Sequence, residues 1–226
     1  KQGLEDLYLP FKPKRRTRAM IARERGLEPL AELLWAGDAT DAEVEQAAAA
    51  YVDPAKEVPN VADALQGARD VLAERVAEDA ALRGAVRELT QARGVVKSSA
   101  VAGKESEVSK FQDYYDFAQP LKELPSHRVL AIRRGEAEGF LVWSIDAPVD
   151  EILAVMQRTV VGRRRAATQL GLVVQDAYKR LLAPSITVEL RLALKTRADE
   201  EAIRIFGQNL EQLLLASPAG EKVVIG

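Results

Sequence analysis

The chain has 226 residues, 47% hydrophobic and 29% charged, with a formal net charge of −2 and no cysteine. That length supports a sizeable core, in one large domain or two small ones. The lack of cysteine excludes a disulfide framework and a cysteine zinc site, and it fits a reducing compartment. No signal-peptide pattern and no apolar run of about 18 residues occurs, so a soluble, unexported chain is expected.

Charge is uneven along the sequence. Residues 1–18 carry six basic and two acidic side chains, whereas residues 38–91 carry twelve acidic and five basic ones. The stretch LYLPFKPKRRTRA, residues 7–19, crowds Lys12, Lys14, Arg15, Arg16 and Arg18 around Pro10 and Pro13. Thr17 is placed to cap RAMIARERG, with Gly26 as a left-handed stop. LEPLAELLWAG follows, with Leu30, Leu33 and Leu34 at helical spacing. The pair reads as a helix-turn-helix-like hairpin, an arrangement also common in purely structural helical cores.

TDAEVEQAAAAYV opens on a Thr40 or Asp41 cap and ends at Asp53-Pro54. Asn60 caps VADALQGARDVLAERVAED, where Val61, Leu65, Ala68, Leu72 and Val76 recur at steps of three and four. AALRGAVRELTQARG repeats that pattern and stops at Gly94. From Gly94 to Lys110 periodicity fades, leaving a short hairpin or a loop, and helix is expected to resume in FQDYYDF.

Ser126 is placed to cap HRVLAIRRG, with Gly135 terminating it. GFLVWSIDAP is the best strand, and Pro148 starts the helix VDEILAVMQRTVV. RRRAATQLGLVVQDAYKRLLAP reads as a helix ended by Pro184. In the segment after it, Val188, Leu190, Leu192 and Leu194 alternate as in a strand, but the pattern runs on into helical spacing, and helix is expected. The fold class is therefore all-α, mainly helical, with room for one or two short strand pairs. The expected division is a helical region over 1–94 and a central helical region over 95–220.

No enzyme signature emerges, and no catalytic residue, metal or cofactor is expected. His127, the only histidine, stands at a helix start, where capping or packing is its ordinary use. Asp113 and Asp116 would share one helix face, yet two carboxylates without further donors make a poor metal site. Tyr114 and Tyr115 could stack on bases or pack under a loop. The cations point elsewhere. The Lys12–Arg18 run is too proline-bound for a helix face and suits phosphate contacts, which do not read base sequence. Arg163, Arg164 and Arg165 form a second cluster at a helix start, where they oppose the helix dipole. These eight side chains are the candidate nucleic-acid contacts.

The stretch LEDLYLPFKPKRRTRAMIARERGLEPLAELL resembles the hallmark of the Tex family of bacterial transcription accessory proteins. KFQDYYDFAQPLKELPSHRVLAIRRGEAEGFL and ADEEAIRIFGQNLEQLLLASPAG with its trailing KVVIG agree, in the expected order. The resemblance implies a cytoplasmic transcription protein with a helical N-terminal and central region. In the family a YqgF (RNase H-like) domain, helix-hairpin-helix elements and an S1 domain follow, the last being its main nucleic-acid binder. Residues 221–226 would begin a truncated YqgF domain, so the chain reads as a piece of something longer. Expected partners are RNA or DNA, mainly through the absent domains, and the transcription machinery, with no membrane. The alternatives are an interaction module whose acidic helices dock a basic partner, or a helical arm of a nuclease-like enzyme.

Overall fold

The computed structural model describes residues 2–12 and 16–216. The described chain is 71% helical with one small sheet. In order it forms α1 (Gln2–Tyr8), α2 (Arg18–Glu24), α3 (Glu28–Ala36), α4 (Asp41–Ala48), α5 (Val61–Glu78), α6 (Ala80–Arg93), β1 (Val95–Ala100), β2 (Asp116–Pro120), α7 (Ser126–Ala137), β3 (Leu141–Asp146), α8 (Val149–Val160), α9 (Ala167–Asp176), a π-helical segment (Ala177–Leu182) and α10 (Ala183–Leu214). Two compact units result, residues 1–94 with 146–189 and residues 95–145 with 190–226. Gly94 is one boundary, but the chain returns to the first unit at Asp146, so each unit is built from two stretches of sequence. The strand expected at 221–226 lies outside the described residues.

In the first unit α5 is the centre, with α2, α3, α4, α9 and the π segment packed against it. Ala64, Ala68, Ala73 and Ala77 are buried along α5, and such small side chains let neighbouring backbones approach. Leu27 closes over Gly67, where a Cβ would lie 2.2 Å from Leu27 Cδ1. The local start and stop signals are in place. Thr17 accepts from the Met20 amide at 3.1 Å, Thr40 forms a capping box with Glu43, Asn60 caps α5 and Asp79 caps α6. Gly26 and Gly37 take left-handed φ values of 81° and 83°.

Asp41, the other cap candidate for α4, works at a distance. Its carboxylate accepts from the Thr168 and Gln169 amides at 3.0 and 2.9 Å, capping α9 from 127 residues away. Burial alone would raise its pKa, but these amide bonds outweigh it and hold the carboxyl below its ordinary value. The stabilisation is therefore present above the unfolded pKa of about 3.9 and is lost as pH falls through the lower folded value. Asp41→Ala should destabilise by about 1–2 kcal/mol at neutral pH. The deficit measured by urea unfolding should shrink in acid.

Pro184 does not end its helix. It sits inside a continuous helical run from Ala167 to Leu214, two residues past the end of the π turn. Proline has no amide hydrogen, and its ring crowds the carbonyl four residues back. The wider turn absorbs this, with the Ala183 amide bonding Tyr178 O, five residues back. The ambiguous Val188–Leu194 stretch is helix, with Leu190 and Leu194 buried and Val188 and Leu192 exposed.

The first unit also buries an ion cluster. Arg83 Nε meets Asp6 Oδ1 at 3.0 Å, and its Nη atoms donate to Ala77 O, Ser185 Oγ and Glu189. Arg87 bridges the same two carboxylates, at 2.8 Å to Asp6 and 3.0 Å to Glu189. This cluster ties α1 and the start of α10 to α6.

In the second unit the sheet has the order β2-β1-β3. β1 and β2 are antiparallel, with Ser99 opposite Asp116 and Val95 opposite Pro120. FQDYYDF is thus a short 3₁₀ turn leading into a strand rather than a helix, because β1 supplies a hydrogen-bonding edge. β3 alternates buried Leu141, Trp143 and Ile145 with exposed partners. α7 runs past Gly135 to Ala137, and Gly139 (φ 74°) follows it. Ser126 is its first residue, behind Pro125 at the cap position, and donates to Glu201. Glu136 accepts from Trp143 Nε1 at 2.8 Å and from Arg191, whose guanidinium lies 4.0 Å from the centre of the Trp143 ring. Burial opposes the Glu136 charge, but those two donors prevail and lower its pKa.

Candidate nucleic-acid interface

The basic run precedes α2. The Lys12 side chain is exposed and has no hydrogen-bond or ion-pair partner among the described residues. Arg16 is 69% exposed and reaches Glu24 at 2.7 Å, a pair of little weight in water. Arg18 is exposed and lines a groove of about 730 Å³ with Asp63, Asp70 and Glu57, carboxylates that discourage a polyanion there. Lys14 and Arg15 lie outside the described residues.

The arginine triple separates by role. α9 starts only at Ala167, so the triple lies in the connection before it. Arg164 Nε donates to Trp35 O at 3.0 Å and Nη1 to Val160 O at 2.5 Å, while its guanidinium lies over the Trp35 ring at 4.6 Å. Arg165 donates from its amide to Gly37 O and from Nη1 to Asp38 O, both at 2.9 Å. These contacts place both cations at the carbonyl ends of α3 and α8, where the helix dipole favours positive charge. The conflict expected with the dipole is absent because the triple serves helix ends rather than a helix start. Gly37 is tied to this clasp, since a Cβ there would lie 2.4 Å from Arg164 Cγ. Arg163 alone is exposed with no partner among the described residues. No hydrogen bond or ion pair joins the triple to the Lys12–Arg18 run among the described residues.

The hairpin of α2 and α3 does not present a base-reading helix. The exposed face of α3 is Glu28, Pro29, Glu32 and Leu33, and both glutamates pair with arginines, Arg23 and Arg75. Carboxylates also account for themselves elsewhere in the acidic block. Asp41, Asp53 and Asp79 cap backbone amides, Glu57 pairs with Arg25, and Asp70 with Arg180. Tyr115 shares hydrogen bonds with Ser109 and Glu107 O, and Tyr114 packs edge-on against Phe117 at 5.4 Å, so both brace the loop before β2. Asp113 and Asp116 are exposed on a turn and a strand start, not on one helix face, and His127 is exposed on α7. Among the described residues no three acidic or histidine side chains gather as metal ligands, and no helix is long and apolar enough to cross a membrane.

Comparison with known proteins gives this scaffold its relatives. The chain is 43% identical to protein tex of Bordetella pertussis and 40% identical to the transcriptional accessory protein Tex of Neisseria gonorrhoeae. Each match covers 100% of the chain but only 30% of the relative. A human protein named S1 RNA-binding domain-containing protein 1 is 30% identical, over 24% of its own length. The family model described as Tex central region-like matches residues 39–206. With that match and these identities, the chain belongs to the Tex family.

Proposed function

We propose that this chain is the helical scaffold of a cytoplasmic transcription accessory protein that contacts RNA or DNA through phosphates, without reading sequence. The observation that carries the reading is the Lys12–Arg18 run, five cations in seven residues, with Lys12 and Arg16 open to solvent. The names of the bacterial and human relatives support a transcription role and an RNA-binding partner domain. That domain, and contact with the transcription machinery, belong to the longer protein. The acidic block favours a docking role less, because many of its carboxylates are already engaged.

A salt titration of a labelled duplex and a labelled single strand tests the contact. Each phosphate neutralised on duplex DNA contributes about −0.9 to the slope of log affinity against log salt. Replacing Lys12 and Arg16 by alanine should therefore flatten the slope by roughly 2 without loss of fold. An unchanged slope would make the run structural. The same reading assigns no catalysis to the chain: RNA and DNA incubated with it should remain intact with or without magnesium. Cleavage abolished by Asp113→Ala with Asp116→Ala would overturn that.

A further inference from the structure

A second basic site in the first unit is built from residues that belong to neither sequence cluster. Between α5 and the helical run of α9 and the π segment is a groove of about 540 Å³, within the range of small-molecule pockets. Arg69 projects into it half-buried. Its two hydrogen-bonded acceptors are neutral amides, Gln169 Oε1 at 2.6 Å and Gln66 Oε1 at 2.9 Å, and it makes no ion pair among the described residues. Burial lowers its pKa despite the attraction of Asp70 and Asp176, so this charge is incompletely compensated.

Those two carboxylates are committed elsewhere. Arg180 grips Asp176 through Nε at 2.9 Å and reaches Asp70 at 3.0 Å. Lys179, beside it in the π segment, is exposed and has no partner among the described residues. Arg180 thus answers both carboxylates, which leaves Arg69 and Lys179 as the groove's cations without an ion pair among the described residues. Leu172, 43% exposed, supplies an apolar surface to the same groove, which the Gln175 amide also lines. π turns recur at functional sites, and this one sets Lys179 and Arg180 on the groove wall.

We propose that this groove binds one nucleotide, as a free nucleoside monophosphate or as a unit of a single strand. Arg69 and Lys179 hold the phosphate, and the base lies against Leu172 and the Arg69 guanidinium plane, a surface that accepts any base. The site stands independently of the Lys12–Arg18 run. Titration of the 226-residue chain with adenosine 5′-monophosphate, adenosine, inorganic phosphate and a labelled adenylate trinucleotide is the test. The monophosphate should bind saturably, with adenosine and phosphate each at least tenfold weaker. Arg69→Gln and Lys179→Gln should each weaken it at least fivefold, and the exposed Lys179 position keeps that variant folded. The double alanine variant of Lys12 and Arg16, which keeps Arg18 beside Asp70, should bind the monophosphate unchanged, which separates this site from the loop contact. A trinucleotide no tighter than the monophosphate identifies the free nucleotide as the ligand, and one at least tenfold tighter identifies a strand. Absence of saturable binding by both, equal binding of phosphate alone, or indifference to both substitutions would overturn the proposal.

Discussion

Replacing Arg83 by alanine should destabilise the first unit by about 3–5 kcal/mol, the cost of breaking a buried ion pair from one side. Arg83 is 3% exposed and Asp6 4%, so removing the guanidinium takes one of two cations from a carboxylate that water cannot reach. Arg87 still touches Asp6, but it also serves Glu189 and cannot replace the bonds Arg83 makes to Ala77 O and Ser185. In thermal unfolding the loss should appear as a fall of roughly 10–20 °C in the transition of this unit. An Asp6→Asn companion makes the measurement specific. If the pair is coupled, the double variant will lose clearly less than the sum of the singles. A loss below about 1 kcal/mol for Arg83→Ala would mean that the cluster is solvated and weak.

The second large effect belongs to the other unit. Gly135→Val should cost about 2–3 kcal/mol through overpacking. A Cβ at this position would lie 2.5 Å from Leu141 Cδ1 and 2.8 Å from its Cγ, with Phe111 at 3.2 Å. α7 approaches β3 at this point, and a branched side chain cannot be absorbed by a turn of Leu141 alone. Gly135→Ala is the informative control. Helix propensity alone would favour alanine by about 1 kcal/mol, so a neutral or destabilised variant reports the close approach. A clear gain in melting temperature for either variant would show that Leu141 yields freely.

Gly135 also shows where the sequence could be read and where it could not. Its neighbours in HRVLAIRRG gave a sound helix, since alternating burial and propensity are local. A glycine near a helix end looks the same whether it stops the helix or admits a strand, and only Leu141 decides. Thr17, Thr40, Asn60 and Gly26 were legible because caps and left-handed stops act within a few residues. DYYDF was not, because its strand depends on pairing with β1, seventeen or more residues earlier. Pro184 misled because a π turn can carry a proline that an α turn cannot.

The candidate site divides in the same way. The charge of the arginine triple was plain in the sequence. The carbonyl oxygens of Trp35, Gly37 and Asp38 that receive Arg164 and Arg165 stand 127 to 129 residues away. Only Arg163 is left free of such work. The groove of Arg69 and Lys179 had no sequence signal at all, since its two cations are 110 positions apart.

The π turn between Ala177 and Leu182 also sets a phase. It holds one residue more than an α turn would, and each α-helical residue corresponds to a rotation of about 100°. Ser185 and Glu189 meet Arg83 only because that surplus residue lies upstream of them. A single-residue deletion within the turn would thus swing Ser185 and Glu189 about a quarter-turn or more off their partners and leave Pro184 on an ordinary α turn that cannot absorb it. The irregularity acts as an angular offset, and a shorter, more regular helix would leave Arg83 facing the wrong side chains.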